Sequence, residues 1–117
     1  GDTVVHSHRY QYAGALDCVA TTADGKTVIL DFKTSNTLQD TYALQLAAYA
    51  NAWQEMQGND GFEDVSAMVV KLDKSTGAVK EYRVQDLDVA FAAFKAALVL
   101  YRVREGGQLW AAEDVDE

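Results

Sequence analysis

Leu16-Asp17-Cys18-Val19-Ala20-Thr21-Thr22-Ala23-Asp24-Gly25-Lys26-Thr27-Val28-Ile29-Leu30-Asp31-Phe32-Lys33 is the stretch on which the fold of this chain turns. Two runs rich in β-branched and apolar residues flank Ala23-Asp24-Gly25, a three-residue loop ending in glycine. Such a loop forms a type I turn with a bulge, in which the glycine takes the left-handed conformation that other residues avoid. The loop sets the register of the hairpin. Thr22 faces Lys26, and stepping outward along both strands places Asp17 directly opposite Asp31, with Cβ atoms roughly 5 Å apart. A two-residue loop on Asp24-Gly25 would instead pair Cys18 with Asp31 and send Asp17 to the other face, because side chains alternate along a strand. The second face favours the three-residue loop. It gathers Leu16, Cys18 and Ala20 with Val28, Leu30 and Phe32 into one apolar surface, the expected core, and leaves Asp17, Asp31 and Lys33 on the opposite, polar side.

Like charges facing each other across a sheet are destabilising, so a chain that keeps Asp17 against Asp31 must neutralise them with a cation or raise one pKa. Lys33 supplies one positive charge. Two hard carboxylate oxygens suit Mg²⁺ or Mn²⁺, which keep several waters for a phosphate group to displace. Such an ion stabilises charge on a phosphoryl group and activates water, while a neighbouring ammonium orients that water or steadies the oxyanion. The competing reading is a solvent-exposed cross-strand ion pair, worth little energetically. Asp-x-Lys by itself does not separate the two.

Downstream, Thr37-Leu38-Gln39-Asp40 reads as a capping box opening a helix through Gln57. Gln45 and Tyr49 are four residues apart and share a face of it, presenting an amide and a phenol together. An aromatic residue at helical spacing more commonly packs into a core.

With these three segments in view, the sequence resembles the PD-(D/E)XK nuclease superfamily, and within it the RecB-like and phage-type exonuclease branch. The resemblance rests on Tyr12-Ala13-Gly14-Ala15-Leu16-Asp17, on Ile29-Leu30-Asp31-Phe32-Lys33-Thr34-Ser35, and on Tyr42 with Gln45-Leu46-Ala47-Ala48-Tyr49-Ala50. Their order matches a Gly-x-x-Asp strand, a return strand carrying (Asp/Glu)-x-Lys, and a helix bearing Gln-x-x-x-Tyr. The resemblance implies a Mg²⁺- or Mn²⁺-dependent deoxyribonuclease, an exonuclease of phage or recombination and repair type, with DNA as its partner. It implies that Asp17, Asp31 and the Phe32 carbonyl bind the metal, that Lys33 assists attack of water on a phosphodiester, and that Gln45 and Tyr49 position Lys33 and the DNA strand. An alternative is a catalytically weak or silent relative serving as a module for DNA ends or protein interaction. The family's leading helix has no counterpart here, and Asp2 falls about where the family places a further acid. His6 and His8 share a face of an edge-like strand, which suits either a metal or ordinary surface histidines.

At 117 residues and 49% hydrophobic content, residues 1 to 110 are expected to form one nuclease-like domain, followed by an acidic tail over 111 to 117. No apolar stretch is long enough to cross a bilayer and none resembles a secretion signal, so a cytoplasmic setting without membrane contact is expected. A single cysteine, Cys18, excludes an intramolecular disulfide and argues against an iron-sulfur cluster. The net charge of −8 runs against DNA binding, which is normally driven by lysine and arginine. Glu113, Asp114, Asp116 and Glu117 account for four of these charges, and Lys71, Lys74, Lys80 and Arg83 gather on one predicted hairpin, with Arg102 and Arg104 ending the last helix. A homo-oligomer or a larger recombination or replication complex is expected to supply the remaining grip.

The rest reads as support: a strand over Val65 to Leu72, a return over Ala78 to Val84, and an Asp86-capped helix to about Glu105, with Leu87, Ala90, Phe91, Phe94, Leu98 and Tyr101 as its apolar stripe. The expected fold is α/β, a restriction-endonuclease-like core. It comprises an antiparallel three-stranded meander over residues 3 to 34, a crossover helix with Trp53 and Met56 packed on the sheet, a further hairpin and a C-terminal helix. The strand after the crossover should lie parallel to the strand of Asp31.

Overall fold

A computed structural model describes residues 3–35 and 37–114. In chain order it contains β1 (Thr3–Ser7), β2 (Tyr12–Leu16), β3 (Cys18–Thr21), β4 (Thr27–Lys33), α1 (Asp40–Met56), β5 (Val65–Leu72), β6 (Val79–Arg83) and α2 (Leu87–Glu105).

The hairpin has the register its loop dictates. Gly25 sits at φ +85°, Thr22 and Lys26 close the turn through a 2.8 Å bond from the Thr22 amide to the Lys26 carbonyl, and Cys18 faces Leu30. The meander differs from expectation in one respect. Its middle strand is interrupted at Asp17, so β1 and β2 form a two-stranded sheet, and β3, β4, β5 and β6 form a four-stranded sheet in that order. The break frees Asp17 from the ladder, leaving its side chain to serve another purpose.

α1 connects β4 to β5, and β5 runs parallel to β4 with Asp31 beside Val69 and Lys33 beside Lys71. The crossover lays α1 over the face that carries Ile29, Ala67 and Val69, which pack with Leu46, Ala47 and Ala50 of the helix. This corrects the expectation about the core. The covered face is the one that bears Asp31, which is itself buried, whereas Phe32 on the other face is 54% exposed. Both faces of β4 are apolar enough to form a core, and the side on which the crossover helix lies decides between them. Burial of Val5, Leu16, Ile29 and Leu46, the largest fully buried side chains, contributes about 1.5–3 kcal/mol each.

The capping box does not form. The N-cap of α1 is Gln39, which makes no side-chain cap bond, and the Thr37 carbonyl instead accepts from the Ser35 hydroxyl. Asp40 remains in the first turn, where the helix dipole favours a carboxylate. Trp53 packs against the core as expected, but Met56, at the last turn of α1, is exposed. α2 is capped as read: Asp86 Oδ1 accepts the Val89 amide at 3.1 Å. Its stripe is buried only at Leu87, Ala90 and Phe91, with Phe94 and Leu98 partly so. Tyr101 is exposed because no described element lies over the outer side of the second half of the helix. No helix among the described residues is long and apolar enough to cross a membrane.

Candidate active site

Asp17 lies at the bend between β2 and β3, and its Oδ2 accepts the backbone amide of Phe32 at 2.8 Å. The last turn of the ladder is thus completed by a side chain instead of a backbone carbonyl. In an extended strand the amide and carbonyl of one residue project from the same edge, so the Phe32 carbonyl emerges on the side where Asp17 stands. Asp31, one residue earlier on β4, points to the helix-covered face. Its Oδ2 meets Lys33 Nζ at 2.8 Å, with both side chains substantially withdrawn from solvent.

The two carboxylates are close enough to share a hydrogen bond, and their environments divide the proton between them. The Phe32 amide, helped by the contact with Asp31, holds Asp17 below the usual carboxylate range. Burial pushes Asp31 upward, and the neighbouring Asp17 adds to this against the opposing pull of Lys33. The hydrogen bond to Asp31 raises the Lys33 ammonium, which therefore stays charged at neutral pH. Two facing carboxylates and a backbone carbonyl, all hard oxygen donors, fit a hard divalent cation. No group of three or more His, Cys, Asp or Glu side chains able to hold a metal occurs among the described residues.

α1 closes the other side. Lys33 Nζ lies 4.8 Å from the centroid of the Tyr42 ring, and the Tyr42 hydroxyl is 3.3 Å from the Ser35 hydroxyl. Tyr49 reaches the same region, its phenol raised by burial and flanked by the Gln45 amide. Gly14 on β2 is required for this approach: a Cβ at that position would stand 2.6 Å from Tyr49 Cε1. Lys33, Tyr42, Gln45 and Tyr49 line one cleft of about 590 Å³, walled further by Tyr12 and Phe94. The structure thus brings together Asp17, Asp31, Lys33, Gln45 and Tyr49 around the end of β4.

His6 and His8 lie elsewhere. Their rings meet edge to face at 4.9 Å in a separate hollow beside Arg9 and Glu55. Glu55 is ten residues beyond Gln45 on α1, roughly 15 Å along the helix. Asp2 lies outside the described residues. Sequence reasoning assigned no role to Ser35, or to the placement of Lys71 and Lys80 on the covered face. The hairpin turn from β5 to β6 was visible in the sequence, but its alignment beside Lys33 depends on the crossover.

A mixed sheet with a crossover helix and an Asp-x-Lys strand defines the restriction-endonuclease-like class. Across residues 4–116 the chain matches the model of the PD-(D/E)XK nuclease superfamily, and it belongs to that superfamily. Members of this superfamily are in general nucleases that act on DNA with divalent metals. None of the curated proteins compared with the chain matches it.

Proposed function

We propose that this domain is a Mg²⁺- or Mn²⁺-dependent deoxyribonuclease, an exonuclease of phage or recombination and repair type acting in the cytoplasm. The observation that carries the reading is the Asp17, Asp31 and Lys33 cluster, with Asp17 fixed on the Phe32 amide and Lys33 on Asp31. The three motifs that surround it, Gly14 to Asp17, Asp31 to Lys33 and Gln45 to Tyr49, support the exonuclease assignment by their order.

In this proposal Asp17, Asp31 and the Phe32 carbonyl hold the divalent ion. When bound, the ion neutralises phosphoryl oxygens and makes a water more acidic. Lys33, with three donors and no acceptor, orients the attacking water and faces the charge that develops on the phosphoryl group. Its two partners, Asp31 below and the Tyr42 ring beside it, restrict where that ammonium can go. Tyr49 and Gln45 line the cleft with a neutral phenol and an amide, and position Lys33 and the strand being cut. The aromatic wall of the cleft suits unstacked bases at a strand end.

The test is incubation of the chain with end-labelled linear DNA and with circular DNA in Mg²⁺ and Mn²⁺. Degradation of linear DNA alone, lost in Lys33→Ala while metal binding persists, is the expected result. Metal binding without cleavage of either DNA by the wild type would instead favour a silent nuclease-fold module.

A further inference from the structure

The registers of β4, β5 and β6 place three lysines in one row across adjacent strands of the sheet. Lys33 pairs with Lys71 across the parallel ladder, and Lys71 pairs with Lys80 across the antiparallel one. Directly paired residues share a face, so all three ammonium groups project on the side that carries Asp31. With strands about 4.8 Å apart, the row spans roughly 10 Å from the metal-binding pair to the β6 edge.

Like charges on adjacent strands repel. Lys33 is neutralised by Asp31, but among the described residues neither Lys71 nor Lys80 has a carboxylate within salt-bridge distance. Asp73, the acid that shares a hollow with them, has its carboxylate engaged within its own loop. Its Oδ1 accepts the Ser75 amide at 2.9 Å, the Ser75 hydroxyl at 2.7 Å and the Thr76 amide at 3.3 Å. Glu81 belongs to the opposite face, opposite Val70. Lys71, Lys80, Tyr82 and Ser35, with Asp73, line a hollow of about 240 Å³, which adjoins the active-site cleft across the contact between Ser35 and Tyr42. A row of uncompensated positive charge is the more telling in a chain of net charge −8.

We propose that Lys71 and Lys80 form a phosphate track that leads the DNA strand across β5 and β6 into the active site. The proposal rests on the nuclease reading and extends it by assigning the direction from which the strand arrives. Lysines on neighbouring strands about 4.8 Å apart, with long flexible side chains, can reach successive phosphates of one strand, so Lys33 serves the phosphate being cut while Lys71 and Lys80 hold those next to it. Ser35, whose hydroxyl donates to the Thr37 carbonyl, stands where the two hollows meet. The other lysine of the hairpin, Lys74, lies in the turn, and Arg83 is on the opposite face of the sheet, so neither belongs to the row.

The experiment compares wild type with Lys71→Gln/Lys80→Gln, Lys71→Arg/Lys80→Arg and Lys26→Gln, the last at the far end of the β3–β4 hairpin. Binding of a labelled single-stranded oligonucleotide is measured by anisotropy without divalent metal over a range of salt, and cleavage is measured in Mn²⁺. Losing two phosphate contacts should weaken binding tenfold or more and lower the slope of log affinity against log salt by about 1.4. The arginine pair should restore both, and Lys26→Gln should change neither. Melting temperature and the metal-induced shift in it check that the glutamine pair is folded with its metal site intact. If it is not, the single Lys80→Gln, at an exposed position, is expected to lower the slope by about 0.7. A wild type that cuts DNA while the glutamine variant keeps its full salt slope would overturn the track and leave the nuclease reading standing. An equal loss in Lys26→Gln would also overturn it, by showing that only net charge matters. Absence of both binding and cleavage in the wild type would overturn both readings.

Discussion

Asp17 accepts the amide of Phe32 at 2.8 Å, across the point where the β2–β3 strand breaks. One interaction therefore ends a ladder, aims a carboxylate at Asp31, and holds the Phe32 backbone in place beside both. Replacing Asp17 with Asn keeps an acceptor for the amide but removes a charge. We expect millimolar Mn²⁺ to raise the melting temperature of the wild type, as any ligand that binds only the native state must. Asp17→Asn and Asp31→Asn should lose that rise while remaining folded. Differential scanning fluorimetry with and without metal measures it, and an undiminished shift in Asp31→Asn would place the ion elsewhere.

Gly14→Ala tests the packing beneath Tyr49. The added methyl would stand 2.6 Å from the ring edge, so the ring must move out of the cleft. Overpacking of this kind costs about 1–3 kcal/mol. The variant should melt lower and cut DNA more slowly, and Gly14→Ala combined with Tyr49→Ala should regain stability without regaining activity.

Glu55 links the turn after β1 to the end of α1. Burial disfavours its charge, but hydrogen bonds from the Ser7 hydroxyl, the Arg9 amide and the Asn51 side chain together outweigh this and lower its pKa from 4.5. A carboxylate with a depressed native pKa contributes stability that is fully present above its unfolded value and lost as the pH falls through the native one. Below about pH 4.5, therefore, wild type should lose stability more steeply than Glu55→Gln. Melting curves at half-unit intervals from pH 6 to pH 3 test this, and parallel curves would rule out the assignment.

Tyr12 carries the opposite sign. Burial raises its phenol to about 12, and the hydroxyl donates to the Ala48 carbonyl at 2.6 Å while accepting from Asn51. A pKa above the unfolded value of 10.0 means that this stability is intact below pH 10 and lost as the pH rises toward 12. Tyr12→Phe should cost about 1 kcal/mol at neutral pH, with a smaller difference from wild type at pH 11.5. Urea unfolding at the two pH values gives both numbers.

Asp86→Ala removes the side-chain cap of α2 and should cost about 1 kcal/mol. DNA cleavage at a temperature well below melting should be unaffected, because Asp86 lines neither the active-site cleft nor the lysine hollow. A loss of activity there would mean that the orientation of α2 is coupled to the site.

The sequence alone determined what depends on nearby residues. Ala23-Asp24-Gly25 fixed the hairpin register from Thr21 opposite Thr27 to Cys18 opposite Leu30, because loop length and the left-handed glycine leave few ways to close the turn. That register brings Asp17 to the level of Asp31, although Asp17 leaves the ladder there. Gln45 and Tyr49 share a helix face for the same local reason, and Asp86 is the cap it looked to be. The tertiary structure decided which face of β4 is buried, since Val28, Leu30 and Phe32 offered a core as plausible as that of Ile29 until α1 crossed over the other side. It also decided the break at Asp17, the empty role of Thr37, and the exposure of Tyr101. The alignment of Lys33, Lys71 and Lys80 came from tertiary structure as well. A parallel ladder joins residues nearly forty positions apart, and its register is set by how a whole crossover helix packs, which no short pattern in the chain records.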